Sequence, residues 1–439
     1  MLPAIDASPA ELACRFQTVR ATTLALTASL SEADAQVQSM DSTSPAKWHL
    51  AHTSWFFETL VLEPAEPGFK PHEPAYRMLF NSYYNGIGAQ HTRSQRGLIT
   101  RPGLADVMTY RQAVDERVLA LLHNAPDVTT LSLLTLGLHH EQQHQELILT
   151  DLLHLLSCNP LRPAYRAAAP GTPAASAPPA LAWLAQEGGL VETGHASPGF
   201  AFDNEQPRHR QWLAPYALAN RLVTQGEWAA FIADGGYRDP RWWLAAGWDW
   251  LGAQRSARDG RLGAPLYWQA DGAGGWSVFG LLGLQPLVAA QPVVQVSLYE
   301  ADAFAAWSAA QQHLPLRLPT EAEWEHAAAP LAEPGLADAN LLDSGRLQPQ
   351  ALAVGATGLQ QAFGDVWEWT RSAYAPYPGF RPWSGAVGEY NGKFMANQFV
   401  LRGGSCATPR SHLRATYRNF FPADACWQFS GLRLACDPP

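Results

Sequence analysis

Residues 133–157 read LLTLGLHHEQQHQELILTDLLHLLS, and Leu133, Leu134, Leu138, Leu147, Leu152, Leu155 and Leu156 recur there at helical spacing. A helix this long and this rich in leucine needs partners along most of its length to cover its apolar face. Two earlier segments carry the same period, ELACRFQTVRATTLALTASL and YRQAVDERVLALLHN. With the stretch KWHLAHTSWFFETL they make four helices, joined by a long irregular connection over 60–105, which is the pattern of a four-helix bundle.

The pattern changes at residue 159. NPLRPAYRAAAPGTPAASAPPALAWL is rich in Pro and Ala, lacks apolar periodicity and reads as an extended linker. Beyond it Gly, Pro and Trp are frequent, apolar runs are short, and helical period survives only in TQGEWAAFIADG, YEADAFAAWSAA and TEAEWEHAAA. Seventeen tryptophans are enough for indoles to pin long loops that have no regular ladder. A length of 439 residues also exceeds one ordinary core. The expected organisation is multi-domain, α and α+β: a helical bundle over 1–158, a linker over 159–180, and a loop-rich α+β domain over 181–439.

Charge and composition exclude several function classes. The net charge is −9 with no long basic run, so nucleic acid is not an expected partner. No run of eighteen apolar residues suggests a membrane span, and no basic start followed by an apolar stretch suggests export. Five scattered cysteines, with no CxxC pair, then read as free thiols in a reducing cytoplasm.

His140 and His144 stand at i and i+4, which stacks two imidazoles on one helix face within reach of a single cation. The run from His139 to Glu146 is densely polar inside a leucine helix, and bundle helices carry such groups where some point inward to a ligand. A third ligand must come from another helix, and KWHLAHTSWFFETL offers His49 and His52, the latter beside an aromatic cluster. Three neutral imidazoles suit zinc, iron, copper or nickel and leave coordination positions open for chemistry. Because Glu141 follows His140, the run also has the HExxH form of zinc hydrolases. A zinc-dependent thiol transferase or hydrolase is therefore one rival reading. A non-catalytic ligand-binding protein is another.

The residues also carry a resemblance. His140…His144…Glu146, the upstream WHLAH with His52, and the loop NSYYNGIGAQHTRSQRGL resemble the DinB-like bundle of the hercynine-modifying non-haem iron enzymes. That family comprises the ergothioneine-type sulfoxide synthases and their selenoneine synthase relatives. RLPTEAEWEHAA, GDVWEWT, VLRGGSCATP and YRNFF…QFSGLRLA resemble its second domain, which is similar to the sulfatase-modifying factor (formylglycine-generating-enzyme-like, C-type-lectin-related).

The resemblance implies an Fe(II) cofactor on His52, His140 and His144, with O₂ as co-substrate, joining sulfur or selenium to the imidazole C2 of hercynine. It implies that Gln143 hydrogen-bonds the bound imidazole and that Tyr83 or Tyr84 supplies a phenol to deliver a proton or hydrogen atom. Asn419 is then expected to fix one polar end of hercynine. Phe420, Phe421 and Trp427 are expected to face its trimethylammonium group, since aromatic faces hold quaternary ammonium well. Arg93 and Arg96 are expected to point at an acidic group of the donor. No reactive cysteine pair of the formylglycine-generating kind is recognisable, which implies a substrate-binding wall rather than a second active site. Members that use a γ-glutamyl donor carry RNWD where this chain has Arg418-Asn419-Phe420-Phe421, and an arginine where Cys426 stands. Loss of that acid and base implies a less ionic donor, a cysteine-type thiol or a selenosugar, with Cys426 in its pocket.

Overall fold

The computed structural model describes residues 4–5, 7–168, 179–196, 198–257 and 263–437. Most of the expected linker, 169–178, lies outside the described residues. The chain forms two compact units. One comprises Met1–Asn159 with His195–Pro207 and Pro376–Lys393; the other comprises Pro160–Gly194, Arg208–Ala375 and Phe394–Pro439.

The first unit is built on four long helices: α1 (Pro9–Thr27), α2 (Ala46–Phe57), α3 (Leu104–His123) and α4 (Val128–Cys158). Local chemistry starts them. Ser8 and Glu11 form a reciprocal capping box with Pro9 in the first turn of α1, and Asp127 accepts the Thr130 amide at 2.8 Å to begin α4. Every residue of α2 is buried, so it is the central helix rather than a surface one. It runs on into a π-helical turn, Glu58–Leu62, a form that recurs at functional sites.

Gly137 of α4 sits where α2 comes closest. A Cβ there would lie 2.4 Å from the ring of the fully buried Phe57, which itself packs edge-on to Phe16. Helix propensity alone favours Ala over Gly by about 1 kcal/mol. Gly137→Ala is expected instead to destabilise the unit by about 1–3 kcal/mol, the usual cost of overpacking, as read by denaturant unfolding.

The 60–105 connection is ordered by its own polar groups. Buried Asn81 donates to the carbonyls of Tyr84, Gly88 and Ala89 and accepts the Tyr84 amide. The Glu389 carboxylate accepts the amides of Asn85 and Gly86 at 3.0 and 2.7 Å, and Tyr390 stacks on Tyr83. Phe200 stacks on His139 at 3.9 Å between ring centroids. The two late segments are thereby integral to the helical unit.

The second unit is α+β. One sheet has the order β1 (Trp183–Gln186), β2 (Tyr216–Ala219), β8 (Ala435–Cys436), β3 (Leu316–Arg317), all antiparallel. Another has the order β6 (Asn419–Phe421), β5 (Phe399–Arg402), β4 (Trp367–Ala373), β7 (Ser430–Gly431), the last pair parallel. Indoles pin the loops as their abundance suggests: Trp369 donates to the Val296 carbonyl and Trp243 to that of Gly236, both at 2.8 Å.

The acids of RLPTEAEWE have structural partners. Glu321 pairs with Arg418, Glu323 with Arg317 and Glu325 with Arg402, while Glu368 of GDVWEWT pairs with Arg433 where both are fully buried. These motifs weld strands to one helix, Glu321–Ala328, capped by Thr320. Cys14 and Cys158 are exposed, Cys406 and Cys436 buried and Cys426 half-buried, and among the described residues none of the five forms a disulfide.

Candidate metal centre

Three imidazoles from two helices converge in the bundle interior. His52 on α2 and His140 and His144 on α4 each bring one nitrogen to within 4.8 Å of the others, and all are buried. The Nε2 atoms of His52 and His140 lie 3.2 Å apart. Two nitrogens binding one cation at a right angle, with bonds of about 2.1 Å, stand about 3.0 Å apart, so the spacing fits a shared ion.

Burial pushes His52 and His144 well below the ordinary histidine range, with nearby His140 adding to both, and pushes His140 down to about 3. The triad is therefore neutral at pH 7, and neutral imidazole is the ligating form.

The surroundings orient the rings. His52 Nδ1 bonds the Phe80 carbonyl at 2.6 Å, which places the proton on Nδ1 and leaves Nε2 as a lone-pair donor. Trp48 and Trp55 stack on the His52 ring at 4.5 and 5.5 Å, and Phe56 on His140 at 4.4 Å. Buried Nδ1 of His140 has no hydrogen-bond partner among the described residues. The donor set fits a divalent transition metal of borderline softness with open positions.

Glu141 does not join this site. One step along the helix turns it about 100° from His140. Its carboxylate meets Arg20 at 2.9 Å, Arg111 at 2.8 Å and the Thr23 hydroxyl at 2.7 Å, fully buried. The HExxH general base of a zinc hydrolase is thus committed elsewhere.

Arg96 lies against the site through Trp48, its guanidinium carbon 3.4 Å from the indole centroid. It is buried and donates to the hydroxyls of Ser44 and Ser82, and its Nε has no hydrogen-bond partner among the described residues. No carboxylate among the described residues is within ion-pair distance of it. Burial, with Arg93 nearby, pulls its pKa down to about 9. Arg93 is exposed and donates to the Ser42 carbonyl at 2.6 Å. Tyr84 is buried against Trp55 and Phe56, whereas Tyr83 is half-buried beside Tyr84 and Tyr390. Burial raises both phenols, most at Tyr84, so both keep their protons at neutral pH.

Residues 15–148 match the model of the DinB superfamily, and residues 173–438 match that of the sulfatase-modifying factor enzyme 1-like domain. Hercynine oxygenase of Mycolicibacterium thermoresistibile is 33% identical over 98% of this chain and 95% of its own length. Its namesake from Mycobacterium tuberculosis is 33% identical over 98% and 99%. The chain belongs to the hercynine oxygenase family. Ergothioneine biosynthesis protein 1 of Schizosaccharomyces pombe is a more distant relative of this hercynine oxygenase family member, 25% identical over 54% of this chain and 27% of that protein.

The remaining expected residues of this hercynine oxygenase family member fall in different places. Gln143 is half-buried on α4, directly before His144. Asn419, Phe420 and Phe421 form β6 of the second unit, and Cys426 and Trp427 follow in a half-buried loop. Phe420 stacks on Tyr374 at 4.1 Å and lies 5.8 Å from Phe394, an aromatic patch with buried Arg418 over Tyr374. Sequence reasoning missed Asp151, Trp48 and the Phe80 carbonyl as supports of the triad. Asp151 did have a signal, as a lone acid among Leu147, Ile148, Leu149, Leu152 and Leu153.

Proposed function

We propose that this chain is an Fe(II)- and O₂-dependent enzyme that forms a carbon–sulfur or carbon–selenium bond at the imidazole C2 of hercynine, with a cysteine-type thiol or a selenosugar as donor. The observation that carries the reading is the buried, neutral His52–His140–His144 triad in a chain similar end to end to proteins named hercynine oxygenase. When bound, iron(II) supplies oxygen activation and a common docking point for the reactants. The chain's own residues do the rest. His52, His140 and His144 hold the ion, and the aromatic walls Trp48, Trp55 and Phe56 keep water from the imidazoles. Tyr84, packed on Trp55 and Phe56, or its neighbour Tyr83, both protonated, delivers the proton or hydrogen atom. Gln143, half-buried on α4 directly before His144, orients the substrate imidazole.

Arg96, with no carboxylate at ion-pair distance among the described residues, binds an acidic group of the donor, assisted by Arg93. A hydrogen bond to a charged group contributes about 1.5–3 kcal/mol. Arg96→Met is therefore expected to raise KM for an acid-bearing donor such as cysteine about 10–100-fold, while KM for an uncharged sugar donor stays within about twofold. Steady-state kinetics with both donors checks this.

The decisive experiment loads the full chain with iron(II) anaerobically and adds hercynine and O₂ with cysteine, γ-glutamylcysteine or a selenosugar, reading products by mass. Appearance of a C2-substituted hercynine supports the proposal and names the donor. Full turnover with zinc and without O₂ would overturn it.

A further inference from the structure

We infer that His49 and Asp151 are positioning residues that lock His144 in its Nε2-ligating tautomer and make it the strongest donor of the triad; the inference rests on the reading of the triad as a metal site. Three buried groups lie in line. His144 Nδ1 is 2.7 Å from His49 Nδ1, and His49 Nε2 is 3.0 Å from Asp151 Oδ2. Oδ2 also accepts the Ser44 amide at 2.8 Å, which fixes it as an acceptor. His49 Nε2 must then carry the proton of that contact.

In a neutral imidazole the other nitrogen is an acceptor, so His49 Nδ1 accepts. One proton fits between two nitrogens 2.7 Å apart, and it belongs to His144 Nδ1. His144 Nε2 keeps its lone pair for the cation. Both His49 nitrogens are occupied, so His49 is no alternative ligand to His52, although the sequence offers either.

The three ligands therefore have three different outer surroundings. His52 is held by a neutral backbone carbonyl, His140 Nδ1 has no hydrogen-bond partner among the described residues, and His144 is backed by a histidine that a carboxylate polarises. A carboxylate behind the imidazole raises its basicity, and outer partners of this kind typically affect metal affinity about 10–100-fold. The arrangement makes the bond to His144 the strongest in the set, which leaves the His52 and His140 sides the more labile.

The test uses the full chain. Asp151→Asn keeps the shape but removes the charge, and His49→Phe removes the acceptor. Each is expected to weaken cobalt(II) and iron(II) affinity about 10–100-fold in chelator competition and to shift the visible cobalt(II) bands. His49→Gln, whose amide oxygen can accept from His144 Nδ1, is expected to restore most of the affinity. In the unsubstituted zinc-loaded protein, ¹⁵N-histidine NMR should find His144 protonated at Nδ1 and His49 at Nε2, a readout that depends on no variant folding. Opposite tautomers, or folded Asp151→Asn and His49→Phe with parental affinity and spectrum, would overturn the inference. Parental metal affinity in His144→Ala would instead overturn the metal reading beneath it.

Discussion

His140→Ala is expected to leave a folded chain that neither retains iron after anaerobic loading nor converts hercynine above background. The two remaining nitrogens, from His52 and His144, sit on different helices and cannot close a three-point clamp. Changes to outer partners alone cost about 10–100-fold in affinity, so loss of a direct ligand is expected to exceed about 100-fold. The metal-free fold has little to lose. His140 is desolvated and its Nδ1 has no hydrogen-bond partner among the described residues, so removing the ring relieves a desolvation cost that offsets the lost stacking on Phe56 and the 3.2 Å contact with His52 Nε2. A ligand that binds only the native state raises the unfolding temperature by mass action. The signature is thus a thermal midpoint that climbs with added metal in the parent and stays flat in His140→Ala. Metal analysis, calorimetry with and without iron, and product mass together check it. Full turnover in the variant would remove the triad from the chemistry.

The helical half of this fold was legible because its information is periodic. Leucines at i, i+3, i+4 and i+7 mark α4 at almost its true length, and Pro- and Ala-rich sequence marks where the bundle ends. The His140–His144 pair was legible for the same reason, since i, i+4 spacing fixes their relation before any tertiary contact is known, whereas the spacing left His49 and His52 both open as the third ligand. Segments 195–207 and 376–393 carry no such period. Their place in the helical unit comes from single contacts, Phe200 on His139 and Glu389 on the Asn85 and Gly86 amides, which no local pattern encodes. The helix Ala245–Ala257 and the three-stranded meander over 268–286 likewise went unread, because Trp and Gly there blur both periods. The supports of the metal site were hidden for a different reason. A hydrogen bond from a ring nitrogen to a backbone carbonyl, as at Phe80, leaves no trace in residue type.

Glu141 provides the other large effect, because the sequence and the structure assign it opposite roles. As the glutamate of an HExxH run it would be a general base whose amide variant folds normally and is inactive. In the structure it is the shared anion of two buried guanidiniums. Burial pushes its pKa up, but Arg20 and Arg111 outweigh that and hold it down to about 2. Its stabilising contribution is therefore complete above the ordinary carboxylate range near 4.3 and is lost as pH falls from there through about 2. Removing one partner of a buried ion pair strands the other charge and costs about 3–5 kcal/mol. In Glu141→Gln, Arg20 keeps Asp115 at 2.6 Å, but Arg111 is left with the Leu50 carbonyl and the Thr53 hydroxyl. For a unit of this size the thermal midpoint is expected to fall by on the order of 10 °C. Turnover per bound iron, measured well below that midpoint, is expected to stay within about threefold of the parent, because the carboxylate touches no ligand of the triad. Calorimetry paired with iron-normalised kinetics separates the two roles: a variant that melts like the parent but has lost its activity would make Glu141 the base and return the chain to hydrolase chemistry.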